Sequence, residues 1–298
     1  MKMKLSSIAA CALVSGVAFA KMPAPPVPPN WDPFLTRSGA LQFRHGHTQG
    51  MCVTSNSVYL TLHKGIYKFD WYGRLRARVE APPHQGDICW WNGRLYTSMC
   101  VPDDVPMRGR IYVYDESLSL LKIKEFKLPA DGITCLDGVL IVGLGPVRDR
   151  ALCPNPLRGN WIGKFDAETI EPVGEPFVLD HGYDVCAGIQ NLATDGEKIY
   201  MSVYTPEEDY PCFFVMDRDL KVLSAHVFAW RHGFDLVGGG KDGATRFVHA
   251  TTINWMGPSQ HLKPDPSPPQ ALVRYAELKD GEIRDLTHWI SFNKEKER

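Results

Sequence analysis

The sequence predicts an all-β fold, a five-bladed β-propeller with four antiparallel strands in each blade. Two alternating repeats predict it. The first is a β-rich run that ends on an acidic residue followed by a tight turn. Its acidic positions are Asp70, Asp115, Asp166, Asp217 and Glu277. The second is a turn followed by a β-rich pair, as in WNGRLY (91–96) and LDGVLI (136–141). Five cycles of about 50 residues without helical periodicity are typical of propeller blades.

Within each cycle the runs are short, β-branched and aromatic, and Asn-Gly or Asp-Gly steps separate them. Such runs are typical of strands joined by tight hairpins. We number the strands of a blade A to D from the central channel outward. A β-sandwich is the alternative fold, but a sandwich would not require this strict repeat.

The predicted loops differ in length between the two faces. The A–B and C–D turns are short, whereas the B–C loops are long in four blades. These loops cover roughly residues 98–109, 143–160, 202–211 and 251–270. Long loops on a rigid scaffold commonly carry binding groups. We therefore expect the function to lie on the face that carries the B–C loops and the D-to-A connections.

The N-terminus predicts export. Residues 1–4 are basic in character, residues 5–20 are mostly small or apolar, and Ala18-Phe19-Ala20 fits a signal-peptide cleavage site. A lipoprotein site at Cys11 is the less favoured alternative. The expected location is the periplasm or the extracellular space. The predicted organisation is a signal peptide (1–20), a Pro-rich leader (21–39), the propeller (40–290) and a charged C-terminal tail (291–298).

Charge and hydropathy argue against two classes of protein. The 298-residue chain has a formal net charge of −1 and no apolar run of about 18 residues after the leader. The charge does not predict nucleic-acid binding, and the hydropathy does not predict a transmembrane protein.

Eight cysteines are unusual for this length, and export makes disulfides possible. Cys100 and Cys153 lie in neighbouring long loops and are the first predicted pair. Cys186 and Cys212 are the second. The inner strands of the first three blades carry Cys52, Cys89 and Cys135, which we interpret as small buried hydrophobic residues.

Histidine and aspartate recur where the chain enters the inner strands. The steps are His45-Gly-His47, His84 to Asp87, His181 to Asp184 and His232 to Asp235, and blade 3 carries Asp131-Gly132. Three interpretations remain open: tethering of neighbouring blades, binding of a divalent cation (Ca, Mn or Zn), and acid–base catalysis. The candidate catalytic residues are His47, His84, Asp87, Asp131 and Asp235. The candidate metal ligands are His47, His84, His181, Asp184 and His232.

The long loops supply candidate substrate contacts. Arg148, Arg150 and Arg158 share one loop, and guanidinium groups bind carboxylates and sulfates. Tyr210 and Trp255 offer flat faces for stacking on a sugar. These residues predict a glycan or small-molecule ligand. A protein partner is the second possibility.

One stretch resembles a known family. His47-Thr-Gln-Gly-Met51, followed by Val58-Tyr59-Leu60, is similar to the first blade of the five-bladed glutaminyl cyclotransferases. That family places a catalytic Glu after the Tyr, where this chain has Leu60, so the resemblance does not extend to the activity.

The chain as a whole resembles extracytoplasmic propellers. That architecture includes glycoside hydrolases and histidine-rich polysaccharide lyases, and the lyases are the nearer chemical analogy. The resemblance implies a carbohydrate-active protein that cleaves an acidic polysaccharide. A non-catalytic propeller that binds a glycan, small ligand or protein through its long-loop face is the alternative.

Overall fold

The computed structural model describes 21 β-strands that form five sheets. The described residues are 41–42, 48–62, 65–71, 73–82, 85–101, 108–147, 150–151, 155, 159–184, 188–203, 211–228, 233–239, 243–253 and 270–285. Four sheets have four antiparallel strands in sequence order, and the fifth has five strands. The predicted five-bladed propeller is therefore confirmed.

Each of the first four blades is a simple meander. Blade 1 contains β2 (Thr48–Val53), β3 (Val58–Leu62), β4 (Gly65–Phe69) and β5 (Leu75–Glu80). Blade 2 contains β6 (Gln85–Trp91), β7 (Arg94–Val101), β8 (Arg108–Asp115) and β9 (Leu120–Phe126). Blade 3 contains β10 (Ile133–Leu136), β11 (Val139–Pro146), β12 (Gly159–Asp166) and β13 (Phe177–Asp180). Blade 4 contains β14 (Ile189–Thr194), β15 (Ile199–Val203), β16 (Phe213–Met216) and β17 (Val222–His226).

Blade 5 closes the ring. It contains β18 (Phe234–Gly239), β19 (Thr245–Ile253), β20 (Gln270–Lys279) and β21 (Glu282–Asp285), together with β1 (Leu41–Gln42). Strand β21 pairs with one end of β20, and β1 pairs with the other end. The two ends of the propeller thus share the outer edge of one blade, which the repeat pattern did not predict.

The first strand of each blade lines the centre. Strands β2, β6, β10, β14 and β18 each contact the next, and β18 contacts β2. We call the face where these inner strands begin the upper face. The second strand of a blade ends and the third begins at this face, and in four blades these two strands are separated by long stretches of sequence, at residues 102–107, 147–158, 204–212 and 254–269. The turns on the other face are two to five residues long, except for the ten-residue connection from β12 to β13 (167–176), so the predicted difference in loop length holds for all lower-face turns but that one.

The repeated acidic residue has a structural role in the C–D turns. Asp115 Oδ1 accepts hydrogen bonds from the backbone N–H groups of Ser117 (2.9 Å) and Ser119 (2.8 Å). Asp217 Oδ1 binds the corresponding N–H groups of Asp219 and Lys221 at 3.0 and 2.9 Å. These turns would otherwise leave donors without partners, so the repeat follows from turn chemistry.

Buried tyrosines connect neighbouring blades on the lower face, where the short turns lie. Tyr59, Tyr96 and Tyr200 occupy equivalent second-strand positions and are almost completely buried. The Tyr96 hydroxyl donates to Ala167 O of blade 3 at 3.0 Å, and the Tyr59 hydroxyl donates to Glu116 O of blade 2 at 3.4 Å. The Tyr59 and Tyr96 hydroxyls thus satisfy carbonyls of the next blade, whereas the Tyr200 hydroxyl donates to Asp195 Oδ2 of its own blade at 2.8 Å.

Candidate functional site at the upper end of the channel

Asp131 lies immediately before β10, at the upper end of the channel. Its Oδ2 accepts a hydrogen bond from Gln190 Nε2 of blade 4 at 3.0 Å, and the side chain is half-buried. Among the described residues, its Oδ1 has no hydrogen-bond donor. Burial raises the pKa of Asp131 to about 7, and the Gln190 donor acts in the opposite direction.

A glycine brings this carboxylate close to the neighbouring blade. A Cβ atom on Gly86 would lie 2.7 Å from Asp131 Oδ1 and 2.9 Å from its backbone oxygen. Both distances are shorter than real Cβ contacts, so this position requires a residue without a side chain. The Ser98 hydroxyl also donates to the Asp131 backbone oxygen. Asp131 is therefore held between blades 2, 3 and 4.

Asp87 lies deeper, in β6, and is fully buried. Its Oδ2 accepts hydrogen bonds from the backbone N–H groups of Leu192 (2.8 Å) and Ile133 (3.2 Å). Its Oδ1 accepts one from Asn191 Nδ2 at 3.1 Å. Burial raises the pKa of Asp87 well above its ordinary value, and these three donors and the backbone N–H of Ile88 act against that rise. In the described residues, all the direct contacts of this carboxylate are with other blades or its own strand.

Asp235 is the second residue of β18, and its carboxylate reaches the lower end of β2. Its Oδ2 accepts a hydrogen bond from the backbone N–H of Val53, the last residue of β2, at 2.7 Å. Burial raises the pKa of Asp235 to about 6, and the N–H groups of Val53 and Leu236 lower it. The three candidate carboxylates therefore occupy three levels of the channel rather than one site.

The His-x-x-Asp steps are not equivalent in the structure. Asp87 and Asp235 belong to inner strands, whereas Asp184 lies before β14 and accepts a hydrogen bond from Asn155 Nδ2 at 2.8 Å. His181 is buried, and its Nε2 lies 3.1 Å from Asn160 Oδ1. The shared sequence pattern therefore places its acidic residue at different depths in different blades.

Several candidate residues lie outside the described part of the chain. They are His47, His84, His232, Arg148, Arg158, Tyr210 and Trp255. Arg150 is described; it is exposed in the 147–158 connection of blade 3, the blade whose inner strand follows Asp131. The roles predicted for all these residues stay predictions.

The structure corrects two expectations about the cysteines. Cys100 is a free thiol, so the predicted Cys100–Cys153 disulfide is not formed. Cys52, Cys89 and Cys135 lie on β2, β6 and β10 as expected, the first two buried and the third half-buried. Cys212 is likewise not part of a disulfide, so the predicted Cys186–Cys212 bond is not formed either. Cys153 and Cys186 themselves lie outside the described residues.

The described ranges show neither a metal-binding cluster nor a membrane-spanning helix. They contain no group of three or more His, Cys, Asp or Glu side chains arranged to hold a metal ion. Three of the five predicted ligands, His47, His84 and His232, lie outside those ranges. No helix in the described part of the chain is long and apolar enough to span a bilayer.

These sheets and their closed ring define the class of protein: a five-bladed β-propeller with a polar upper channel mouth. No protein-family model matches the chain, and no curated protein matches it. The local likeness to the first blade of glutaminyl cyclotransferases therefore does not extend to a family assignment.

Solved structures with a similar fold come from proteins of different activities. Hydrazine synthase from Kuenenia stuttgartiensis is 13% identical over 84% of this chain and 68% of that one, with a TM-score of 0.47. Glutaminyl cyclase from Myxococcus xanthus is 16% identical over 59% and 74%, with a TM-score of 0.39. A GH32 beta-fructofuranosidase from Bombyx mori is 11% identical over 83% and 64%, with a TM-score of 0.45. Similarities this distant concern the fold alone.

Proposed function

We propose that this protein is an exported, carbohydrate-active propeller that cleaves an acidic polysaccharide by β-elimination, with Asp131 as the catalytic base at the upper channel mouth. The observation that carries this proposal is the half-buried Asp131 carboxylate, whose pKa is raised to about 7 by burial. A base is most effective when its pKa lies near the working pH. Asp131 also has one oxygen without a hydrogen-bond donor among the described residues.

The proposed step is a proton transfer coupled to bond cleavage. The Asp131 carboxylate takes the proton from the uronate carbon next to the sugar carboxylate. The electron pair released forms a double bond to the neighbouring carbon, whose bond to the glycosidic oxygen breaks. The leaving oxygen takes a proton from water or from Asp131 itself. The products are an unsaturated uronate and a shortened chain.

Elimination fits the described carboxylates better than hydrolysis does. Glycoside hydrolysis commonly requires two carboxyl groups that flank one glycosidic bond. Asp87 is fully buried, and Asp235 binds the backbone N–H of Val53 at the end of β2. Asp131 thus has no described inner-strand carboxylate beside it at the mouth, whereas elimination requires one base.

Arg150 supports an acidic substrate. It is exposed on the upper connection of the blade that carries Asp131, where a guanidinium can bind a uronate carboxylate. Neutralising that carboxylate makes the adjacent proton more acidic, which lowers the barrier to its removal. Arg148 and Arg158 of the same connection extend this charge in the sequence.

The test is a screen of uronate-containing polysaccharides with the purified mature protein. Formation of the unsaturated product is followed by its ultraviolet absorbance, and new reducing ends are counted in parallel. We expect both signals to increase together. Asp131→Asn should lower turnover by at least 100-fold, as loss of a general base does, while Asp219→Asn, at an exposed lower-face position, should leave it unchanged.

Other outcomes separate the alternatives. New reducing ends without absorbance would indicate hydrolysis and contradict elimination. Saturable binding without either product would support the non-catalytic alternative. Equal turnover by wild type and Asp131→Asn would overturn the assignment of the base.

A further inference from the structure

The Asp87 carboxylate accepts hydrogen bonds from two other inner strands. Its Oδ2 binds the backbone N–H of Ile133 in β10 and the backbone N–H of Leu192 in β14, at 3.2 and 2.8 Å. Its own backbone N–H donates to Asp131 O at 3.1 Å. A single residue of β6 therefore fixes the position of β10 and β14 at the same level of the channel.

The two bound amides have a defined relation to the candidate site. Ile133 follows Asp131 by two residues, and Leu192 follows Gln190 by two residues. Asp131 and Gln190 make the 3.0 Å side-chain hydrogen bond at the upper mouth. Since one carboxylate oxygen holds the backbone just below both partners, it sets the distance between them.

Asn191 extends the same network across the channel. Its Nδ2 donates to Asp87 Oδ1 at 3.1 Å and to Gln49 O of blade 1 at 2.9 Å. Its Oδ1 accepts a hydrogen bond from the Ser202 hydroxyl at 3.2 Å. Asn191 is fully buried, so these contacts form a closed layer beneath Asp131 and link blades 1, 2 and 4.

We propose that Asp87 is a positioning residue for the candidate site: it aligns Asp131 with Gln190 and never contacts the substrate. The proposal rests on the role proposed above for Asp131. Under this proposal Asp87 is no longer a candidate catalytic residue but a positioning residue. Its complete burial beneath the Asp131–Gln190 pair keeps it away from any ligand at the mouth.

The chemistry of the donors explains why this position needs a carboxylate. The groups that face the two oxygens are N–H donors: the backbone amides of Ile133 and Leu192, the Asn191 side chain and the backbone amide of Ile88. The ionised carboxylate, which only accepts hydrogen bonds, satisfies all of them. An Asn at this position would turn its amide N–H₂ toward at least one of these donors. Asp87→Asn is therefore a nearly isosteric change that breaks the network on one side.

The test measures the alignment without turnover. In protein labelled with ¹³C at the Asp carboxyls, the titration midpoint of Asp131 is followed by NMR in wild type and Asp87→Asn. Loss of alignment admits water to Asp131, so the midpoint should fall by at least one pH unit toward that of an ordinary Asp. Exchange of the Ile133 and Leu192 amide protons should accelerate at least tenfold.

Asp235→Asn is the matched control, because it makes the same substitution at a channel carboxylate that binds a different strand. It should leave the Asp131 midpoint and both amides unchanged. If Asp87→Asn also leaves them unchanged, or if both variants shift them equally, Asp87 has no specific positioning role. These readouts do not depend on polysaccharide cleavage, so a failure here is distinct from a failure of the proposed function.

A wild-type measurement covers the case in which Asp87→Asn does not fold. Scalar couplings across the hydrogen bonds from the Ile133 and Leu192 nitrogens to the Asp87 carboxyl carbon should be detectable. Their absence from well-resolved spectra of the folded protein would overturn the proposal.

Discussion

Asp131, Asp87 and Asp235 are chemically identical side chains whose surroundings differ along one channel. Asp131 keeps one oxygen without a described donor, Asp87 binds four donors, and Asp235 binds the end of β2. The sequence shows that all three lie at the start of an inner strand. The sequence does not show how deep each carboxylate lies in the channel, because that depth depends on the offset between neighbouring inner strands.

The raised pKa of Asp131 predicts a pH-dependent stability difference. Its folded-state pKa of about 7 exceeds the ordinary value of 3.8, so folding favours the protonated form. The resulting stabilisation is fully present below about pH 4 and is lost as the pH rises through about 7. Relative to Asp131→Asn, wild type should lose up to about 1.4 kcal/mol per pH unit across that window.

Urea unfolding of both proteins from pH 4 to pH 8 checks this difference. Asp219→Asn provides the control for the same substitution at an exposed site. A difference between wild type and Asp131→Asn that does not change with pH would contradict the environment described for Asp131.

At the scale of strands and turns, the sequence predicts the structure because the contacts that form each turn lie close together in the chain. Asn92-Gly93 and Asp137-Gly138 have the positive φ values (48° and 78°, 51° and 79°) that two-residue hairpins require. Asp115 and Asp217 bind turn amides within four residues of themselves. These contacts are short in sequence, so the repeat predicted both the strands and their connections.

The seams between blades give a second prediction. Tyr96→Phe removes a 3.0 Å hydrogen bond to Ala167 O and should lower the free energy of unfolding by about 1 kcal/mol. Tyr59→Phe removes a longer bond of 3.4 Å to Glu116 O and should have a smaller effect. Denaturant titrations of the two variants compare them directly, and a larger loss for Tyr59→Phe would contradict this account of the seams.

At the scale of the whole molecule, the contacts that define the candidate site are long in sequence. Asp87 and Leu192 are 105 residues apart, and Asp235 and Val53 are 182 residues apart. The sequence next to Asp87 does not predict its contact with Leu192, and the sequence next to Asp235 does not predict its contact with Val53. The sequence therefore predicted the blades and the face on which to look, whereas the separation of the carboxylates into three levels required the assembled ring.

The closed ring also depends on glycines where inner strands meet. A Cβ atom on Gly50 would lie 2.5 Å from Asp87 Cα. This is a backbone atom, so relieving the clash requires a shift of the neighbouring strand. Gly50→Ala should therefore destabilise the protein by about 3 kcal/mol, at the upper end of overpacking costs. At Gly188 the nearest atom to a new Cβ is Gly145 Cα at 3.5 Å, so Gly188→Ala is the matched control.

Thermal unfolding of the two glycine variants distinguishes the cases. Gly50→Ala should unfold at a clearly lower temperature than wild type, and Gly188→Ala should remain close to it. Equal stabilities of Gly50→Ala and wild type would contradict the close approach of β2 and β6.

The central claim is that Asp131 provides a base that titrates near neutral pH at the upper channel mouth. The most direct measurement is an NMR titration of the ¹³C-labelled Asp carboxyls in wild type, with the Asp131 signal assigned by its loss in Asp131→Asn. We predict a midpoint of about 7 for that signal. A midpoint near the ordinary Asp value of 3.8 would contradict the claim.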